Sequence, residues 1–561
     1  MKLGLMESNR KTDPNSPVDS ANLPMIQKAW DWFARLLSRR WHIVVGAWLC
    51  AAAVSFEGYS KQKALWTDEI LVRWVDTLPS LRDIWLQLKL GVCADPPLFH
   101  LMTHSLTSVF GSGAPVLRLP SMVGVCAMLF FIFLTLCQQV GPLYALLGLT
   151  LPFCTLMPSY AYEARPYGLM YGCIGVAVYC WAKIGDDTFN RPSWNLALGL
   201  ALTAALGCHF YSVFALPAFY LGEVVRTARR HRVSWPTFWA LAGATATVGA
   251  YWPIIVGIHK YSSSYFAKPS LKSVPQMLED SMTRLPIALF VFLLFAAVIA
   301  ILRFRFAHHI KSDLDNQFCD LTALALGFLL LPLFAWFAGV VALKAFSAKY
   351  VLHGLFGVLL MIPLFAARFL GRDRSLGLAL LLGCGLPASF FVLRGAVDNF
   401  RSTHYNDNFI LLEKALPNLN GDIVVSDPLL LTELVNYSPA LKARCIYLWS
   451  RDNELKYTGQ DTVSLAFERI GQMGWFREQR WSDYERQNRT YLFLTVPDGQ
   501  SDEIGWLRAY MEQVGRYGKV AMHVGPYVIV EAKPLDAERL EFAGFAEKVH
   551  ANRKLERSRQ R

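Results

Sequence analysis

Two neighbouring carboxylates, Asp68 and Glu69, lie at the start of a short amphipathic segment in the polar stretch that follows the first apolar run. A carboxylate in such a place can accept a proton from a hydroxyl group or hold a metal ion. A plainer explanation is that both residues favour a helix amino terminus, with Glu69 and Arg73 as an i,i+4 pair. We predict both as catalytic candidates, although adjacent helical residues point apart and need not face the same site.

Charged side chains occur in two later loops as well. Glu163 and Arg165 lie between aromatic residues, and Lys344 and Lys349 precede a late apolar run. Ionisable groups at membrane depth are usually paired or functional, and a guanidinium matches phosphate oxygens. We therefore predict these four as substrate or phosphate contacts. A structural salt bridge or interfacial snorkelling, or ordinary loop lysines, are the alternatives.

Asp95 and two histidines complete the polar set in the first loop. Asp95 precedes a proline-initiated helix, so it either orients substrate or caps that helix. His100 and His104 have the i,i+4 spacing of a metal pair, although packed histidines are commoner. Arg118 begins an apolar run, and a structural role is expected for it.

The elements that must position these residues are apolar helices. The chain has 561 residues, of which 54% are hydrophobic and 17% charged, which argues against a soluble multidomain protein. A membrane-spanning helix needs about 20 apolar residues. Eleven runs fit this requirement, at 41–59, 118–139, 142–159, 166–183, 194–208, 211–225, 236–258, 285–302, 321–343, 350–368 and 375–394.

Arginine and lysine cluster in alternate loops, as the positive-inside rule requires. This predicts a cytoplasmic amino terminus and places residues 60–117, 159–165, 344–349 and everything after about 395 on the opposite side. The parity fails if 194–225 does not cross twice. The net charge of +12 is then explained by these loops and a basic tail, and no nucleic-acid motif accompanies it, so we expect no nucleic-acid partner.

The predicted organisation has four parts. Residues 1–30 form a cytoplasmic tail, and 31–394 form the membrane domain, with interfacial helices at 67–92. Residues 395–535 alternate strand-like and helix-like pieces, which predicts a small α/β domain. Its expected strands are 422–426, 445–450, 490–496 and 519–532, the last broken at Gly525-Pro526. Its expected helices are 428–437, 463–473 and 502–515. Residues 536–561 form a charged tail.

An ordered set of motifs resembles the GT-C membrane glycosyltransferases. The set comprises Trp66-Thr67-Asp68-Glu69, Asp95-Pro96-Pro97-Leu98-Phe99-His100, Leu117-Arg118-Leu119-Pro120 and Tyr162-Glu163-Ala164-Arg165-Pro166-Tyr167. It is most similar to the branch that contains the protein O-mannosyltransferases and the lipid A aminoarabinose transferase. The resemblance implies a GT-C fold, a polyprenyl-phosphate sugar donor, transfer on the outer face and a catalytic acid in the first external loop. His209 and Tyr211 resemble pocket residues of this family.

The chain also departs from that branch. Pro96 stands where the aminoarabinose transferases have a lysine, and Arg165 stands near their aspartate. Lys349-Tyr350 replaces the Arg-Tyr pair that the family often has before a late span, which keeps the charge and loses bidentate geometry. Other cations must therefore hold the donor phosphate, and the sugar need not be aminoarabinose.

These observations predict a multi-span α-helical membrane protein of about eleven spans, of GT-C type, with a C-terminal α/β extracytoplasmic domain. The expected activity is transfer of a sugar from a polyprenyl phosphate to an acceptor lipid, glycan or protein, with inversion. The expected setting is a bacterial inner membrane, and a divalent metal such as Mg²⁺ or Mn²⁺ at Asp68 is left open. A multi-span transporter and a membrane-anchored assembly protein are the alternatives.

Overall fold

The structure is a computed structural model, and it describes most of the membrane domain and of the C-terminal domain. The described residues are 25–185, 192–259, 268–281, 313–369, 374–403, 407–415, 421–425, 427–486, 491–495, 506–514 and 517–532. Three predicted segments lie outside the described residues: the run at 285–302, the tail at 536–561 and residues 1–24 of the amino-terminal tail.

The described part of the membrane domain is entirely helical. Its α-helices are α1 Met25–Arg39, α2 Trp41–Gln62, α3 Thr67–Asp76, α4 Leu81–Leu90, α5 Pro97–Phe110, α6 Ala114–Val140, α7 Pro142–Ala145, α8 Leu147–Thr150, α9 Tyr167–Ile184, α10 Pro192–Cys208, α11 Leu216–Arg230, α12 Trp235–Ala246, α13 Trp252–His259, α14 Ser273–Ser281, α15 Asp313–Ala338, α16 Ala348–Val351, α17 Phe356–Phe369 and α18 Arg374–Asp398. Short 3₁₀ turns cover Leu151–Cys154, Met157–Tyr162, Phe210–Ala215, Thr247–Tyr251 and Leu352–Leu355, and a π turn covers Gly339–Leu343.

Seven described helical stretches are long and apolar enough to cross a membrane. They are Trp41–Gln62, Ala114–Val140, Tyr167–Ile184, Trp235–His259, Phe318–Leu343, Ala348–Phe369 and Gly377–Asp398, and each matches a predicted run. Shorter apolar helices cover Pro142–Cys154 and Pro192–Cys208. The structure thus confirms a multi-span α-helical membrane protein; the count of about eleven spans stays a prediction.

Two predicted runs are interrupted for local reasons. The run at 142–159 breaks into helical turns that begin after Gly141, whose φ is +80°, and it also contains Pro152 and Pro158. The run at 211–225 begins as a 3₁₀ turn and becomes α11 at Leu216. The extended residue His209 separates α10 from that turn, and its ring accepts the N–H of Tyr211.

Helices α6 and α9 pack with their backbones in contact. A side chain at Gly124 would meet the carbonyl oxygen of Gly168 at 2.2 Å, and one at Gly172 would meet that of Gly124 at 2.7 Å. Small residues at such crossings allow close approach in membrane helices. Ser121 of α6 donates its hydroxyl to the carbonyl of Arg165 at 2.5 Å. The close packing therefore fixes the backbone at Arg165.

Two helices, α3 and α4, form within the predicted range 67–92, and their place in the membrane interface stays a prediction. Helix α3 has an acidic first turn. Ser80 caps the amino end of α4, where its side chain accepts the N–H of Asp83, and Gly91 caps the carboxyl end in the left-handed conformation. Pro97 occupies the first turn of α5. These three helices connect the span α2 to the span α6.

The C-terminal part is an α/β domain, as predicted. Its strands are β1 Ile423–Val425, β2 Cys445–Trp449, β3 Arg477–Arg480, β4 Tyr491–Thr495, β5 Tyr517–Val524 and β6 Tyr527–Ala532. Its helices are α19 Asp407–Ala415, α20 Pro428–Tyr437, α21 Pro439–Arg444, α22 Arg451–Thr458, α23 Thr462–Gly471, α24 Trp481–Glu485 and α25 Trp506–Gln513. The sheet order is β3-β2-β1-β4-β6-β5; the first four strands are parallel, and the other pairings are antiparallel.

The strand predicted at 519–532 with a break at Gly525-Pro526 is the hairpin β5–β6, which turns at Gly525 with φ of +56°, so the predicted break is confirmed. One strand of this sheet differs from expectation. The sequence did not predict β3, because its residues, Arg-Glu-Gln-Arg, are all polar. An edge strand with polar side chains carries no hydrophobic alternation, and it also discourages pairing with another chain.

Candidate active site

Asp68 lies between two cations that come from distant parts of the chain. Its Oδ2 is 2.8 Å from Nη1 of Arg165 and 3.6 Å from Nζ of Lys349. The carboxylate and the lysine are each 27% exposed, and the guanidinium is 13% exposed. The three side chains are therefore partly open, as a site that receives a ligand must be.

Aromatic rings surround the cations. The guanidinium of Arg165 lies 6.0 Å from the ring centre of Trp66 and 5.6 Å from that of Tyr167. The ammonium of Lys349 lies 5.7 Å from the Trp66 ring. The Nε of Arg165 is buried and has no hydrogen-bond partner among the described residues, so this guanidinium retains donor capacity for a ligand.

Glu69 points away from this cluster into the protein. It forms a bidentate pair with Arg118, with Nε to Oε1 at 2.8 Å and Nη2 to Oε2 at 2.7 Å, and it also accepts the N–H of Ala164 at 2.5 Å. Both side chains are fully buried. Arg118 also donates to the carbonyls of Ser60 and Lys63. These contacts favour a structural role for Glu69, which the sequence predicted as a second catalytic candidate.

Glu163 also points elsewhere. Its Oε1 is 2.5 Å from Nζ of Lys63, and that ammonium lies 5.8 Å from the ring centre of Tyr162. Glu163 and Arg165 do not form the salt bridge that the sequence left open; each has a partner from a different part of the first loop. The structure therefore separates Glu163 from the cluster around Asp68.

Asp95 and His209 form a buried couple beside the cluster. His209 Nε2 lies 3.8 Å from Asp95 Oδ1, and the two side chains are 5% and 4% exposed. Burial, with the nearby charge of Arg165, holds the pKa of His209 well below its usual range. Because Nδ1 accepts the N–H of Tyr211, the neutral ring carries its proton on Nε2, facing Asp95.

The same burial raises the pKa of Asp95, whereas the charges of Arg165 and His100 act to lower it. Rings enclose the couple on one side. His209 lies 4.8 Å from Tyr167 and 5.7 Å from Tyr350 between ring centres, and Tyr211 lies 4.8 Å from Tyr350. The arrangement offers aromatic faces and a neutral imidazole next to a pair of cations.

Two predicted site residues lie apart from the cluster. Lys344 is exposed, has a φ of +56° and donates to the carbonyl of Val340 at 3.2 Å. His100 is fully buried, and its Nδ1 is 2.7 Å from Oδ1 of Asp76 at the end of α3. Although burial acts to lower it, the pKa of His100 is raised by Asp76. His104 bonds to the backbone carbonyl of Asp76, so each histidine has a hydrogen-bond partner on Asp76 and the two do not form the metal pair that their spacing allowed.

A metal ion at Asp68 does not suit these surroundings. A divalent cation there would lie beside both Arg165 and Lys349, whose charges repel it. Among the residues that the structure describes, no three metal-ligating side chains converge. We therefore derive no step through a metal.

Trp66 and Tyr167 belong to the cluster, and the sequence analysis did not select them as site residues. Both lie inside motifs that carry the family resemblance, close in sequence to Asp68 and Arg165. That proximity is the feature from which the sequence could have indicated them as site residues. The contacts of Trp66 with Arg165 and Lys349 join parts of the chain that are far apart in sequence, which no local pattern specifies.

Twelve chains of known structure match this chain, and two of them are crystal structures of one protein. No protein-family model matches the chain, and no curated protein matches it either. The chain is similar to the crystal structure of ArnT from Cupriavidus metallidurans bound to undecaprenyl phosphate, with a TM-score of 0.47 and 14% identity over 89% of this chain and 98% of that one. It is similar to the same protein in the apo state, with a TM-score of 0.47 and 15% identity over 88% and 97%.

Proposed function

We propose that the protein is a membrane glycosyltransferase that moves a sugar from a polyprenyl-phosphate donor to an acceptor hydroxyl or amine. The observation that carries this proposal is the contact of Asp68 with Arg165 and Lys349, at 2.8 and 3.6 Å. A carboxylate and two cations, partly open and next to membrane helices, fit a reaction between a lipid-linked phosphate and a nucleophile. The motif order that resembles the GT-C enzymes supports the same reaction.

The two cations suit the departing phosphate. Transfer breaks the bond between the anomeric carbon and a phosphate oxygen, and the electron pair stays on the polyprenyl phosphate. Arg165 and Lys349 neutralise that developing charge. Their position beside apolar helices lets the phosphate approach while its isoprenoid remains in the lipid.

Asp68 suits the acceptor. Its carboxylate accepts the proton that the acceptor loses as its oxygen or nitrogen bonds to the anomeric carbon. In the structure, Asp68 is paired with both cations. A bound donor phosphate competes for these cations, which frees the carboxylate to act as the base. Single displacement from the opposite face would invert the anomeric configuration.

The alternatives predict other arrangements. A secondary transporter places its polar side chains near the bilayer midplane on broken helices. Here Asp68 belongs to an interfacial helix, Arg165 precedes α9, and Lys349 lies at the start of the late helical stretch that includes α16 and α17. An assembly protein would not require a carboxylate and two cationic side chains from three separate loops in one cluster. We place the cluster on the extracytoplasmic face of a bacterial inner membrane.

The test is an assay of donor use. Purified full-length protein in detergent or liposomes is incubated with a panel of polyprenyl-phosphate sugars and candidate lipid, glycan and peptide acceptors. The expected result is release of polyprenyl phosphate with one of these sugars and appearance of a glycosylated acceptor. Failure of every donor to release its carrier, with folded protein, would overturn the proposal. NMR of the product then reports whether the configuration inverts.

A further inference from the structure

The C-terminal domain contacts the segment that carries Asp68. Thr432 of α20 lies with its Oγ1 2.9 Å from Oγ1 of Thr67, the first residue of α3. Thr67 also donates to the carbonyl of Leu429 at 3.3 Å. One turn further along α20, the Tyr437 hydroxyl accepts the N–H of Leu65 at 2.6 Å. These bonds join the residues just before Asp68 to a helix more than 360 positions later.

The contact between Thr67 and Thr432 is buried. Thr67 is 3% exposed and Thr432 is 0% exposed. The ring of Tyr437 stacks on Phe409 of α19, with centres 5.3 Å apart and planes at 12°, so its hydroxyl has a fixed position. A buried hydroxyl that loses its partner is costly. The hydrogen bonds therefore restrict where the start of α3 can lie.

The rest of α3 is held to the same domain and to the membrane helices. Arg73 donates to Asn436 at 3.1 Å, and the rings of Trp74 and Trp475 lie 5.1 Å apart. On the membrane side, Glu69 pairs with Arg118. A helix of ten residues is too short to be stable alone, so these outside contacts determine its position.

We infer that helix α20 positions Asp68 for the reaction, with Thr432 and Tyr437 as positioning residues. The C-terminal domain is then a working part of the transferase and more than an acceptor platform. This inference rests on the proposed function only in naming Asp68 as the reacting carboxylate. Its physical content is that α20 holds residues 65–68 in the place where Asp68 meets Arg165 and Lys349.

The first test separates positioning from binding. Thr432→Val keeps the shape of the side chain and removes its hydroxyl, and Tyr437→Phe does the same for the second bond. Small displacements of a reacting group are expensive, up to about a hundredfold in rate for 1 Å. We expect each variant to lower kcat about tenfold with an unchanged KM for the donor, and Thr432→Ser to restore kcat.

A matched control is available in the same domain. Thr458 ends α22, and its hydroxyl donates to the carbonyl of Glu454 at 2.7 Å, just as Thr432 donates to Leu429 at 2.7 Å. Thr458 has no contact with α3 among the hydrogen bonds that the structure describes. Thr458→Val therefore loses the same local bond without the contact between domains, and its kcat should equal that of the wild type.

The second test does not need transferase activity. Hydrogen exchange of a peptide that covers residues 66–76 reports the opening of α3. Loss of one hydrogen bond corresponds to a change of about two- to tenfold in such an equilibrium. We expect faster exchange in Thr432→Val and in Tyr437→Phe by about that factor, and unchanged exchange in Thr458→Val.

The outcomes are distinguishable. Absence of transfer from every donor by the wild-type protein would overturn the proposed function, while hydrogen exchange would still decide whether α20 holds α3. Exchange in Thr432→Val equal to that in Thr458→Val would overturn the inference. So would a wild-type kcat in both Thr432→Val and Tyr437→Phe, in a protein whose transfer depends on Asp68.

Discussion

Adjacent residues have opposite environments at the start of α3. Asp68 is 27% exposed between Arg165 and Lys349, whereas Glu69 is fully buried against Arg118. A helix turns about 100° per residue, so one carboxylate reaches the partly open cluster while the next faces the packed interior. These environments suit the chemical role proposed for Asp68 and a structural role for Glu69.

This division predicts a stability difference. Glu69→Gln leaves the buried guanidinium of Arg118 without its counter-charge, which costs about 3–5 kcal/mol. Asp68→Asn removes a partly solvated charge, and its cost should be within about 1 kcal/mol. The measurement is the thermal unfolding midpoint of each purified variant in the same detergent. A Glu69→Gln variant that unfolds like the wild type yet transfers no sugar would reverse the assignment.

Arg165 should be sensitive even to a conservative change. Lysine keeps the charge, but it cannot donate two parallel hydrogen bonds to one phosphate. We expect Arg165→Gln to lower kcat/KM by about 10² to 10³, and Arg165→Lys to recover only part of the loss. Steady-state kinetics with varied donor concentration measure this. Lys344→Gln is the control, because Lys344 is exposed and bonds to its own turn; an equal loss there would contradict the role of Arg165.

The sequence predicted the members of the cluster around Asp68 better than it predicted the pairing of the other charged residues nearby. Motif order and loop parity predicted that Asp68, Arg165 and Lys349 share one side, and the structure brings them together. The sequence did not identify the partners of Glu69 and Glu163. Their partners, Arg118 and Lys63, lie 49 and 100 positions away, and side-chain direction in the folded loops determines the pairing.

At the scale of elements, hydrophobic periodicity predicted the helices and strands that bury apolar side chains and missed the elements made of polar residues. Helix α3 buries Ile70, Val72 and Val75, and the helical spacing of its apolar residues made it predictable. Strand β3 and the interruptions at 142–159 were not, because the first has only polar residues and the second keeps an apolar composition across its prolines. The contact of α20 with α3 was also unpredictable, since hydroxyl groups on a helix carry no directional pattern.

The C-terminal domain should have a pH-dependent stability that comes from Glu454. This residue is 3% exposed and accepts the N–H of Ser464 at 2.7 Å. Burial raises the pKa of Glu454 to about 7, against the lowering effect of its bonds to Ser464. In the unfolded chain a glutamate titrates near about 4.3, so the folded domain binds this proton more tightly.

The tighter proton binding makes the domain more stable at low pH. The stabilisation by the proton on Glu454 is complete below the pKa of the unfolded chain and is lost as the pH rises through about 7, which lowers the free energy of unfolding by up to about 3 kcal/mol. We expect Glu454→Gln to flatten the dependence of the unfolding midpoint on pH between 5 and 8 and to unfold at a higher temperature than the wild type at pH 8. The exposed Asp452→Asn is the control; an unchanged slope in Glu454→Gln would contradict this origin.

At the scale of the whole molecule, the last span connects the two sides of the membrane. Helix α18 runs from Arg374 to Asp398, a length of about 36 Å at 1.5 Å per residue, which is enough to cross the bilayer. The C-terminal domain follows its end, and Arg469 of that domain donates to the carbonyl of Leu90 in the first loop at 2.5 Å. The first loop and the domain must therefore share a side.

Cysteine labelling in intact cells checks this arrangement. Lys89→Cys and Arg451→Cys introduce thiols at exposed positions of the first loop and the C-terminal domain, and Arg374→Cys introduces one at the other end of α18. We expect a membrane-impermeant reagent to label the first two directly and the third only after permeabilisation, above the background of the unsubstituted chain. Labelling of positions 89 and 451 from opposite sides would contradict the fold.

The most direct measurement compares transfer by the wild type with transfer by Asp68→Asn, using the donor that the panel identifies. The variant keeps the size of the side chain and both cations, and it removes the base. The account predicts that Asp68→Asn binds the donor with an affinity near that of the wild type but releases no polyprenyl phosphate above background. Turnover at the wild-type rate in Asp68→Asn would show that the reaction does not use this carboxylate, and the proposed mechanism would be wrong.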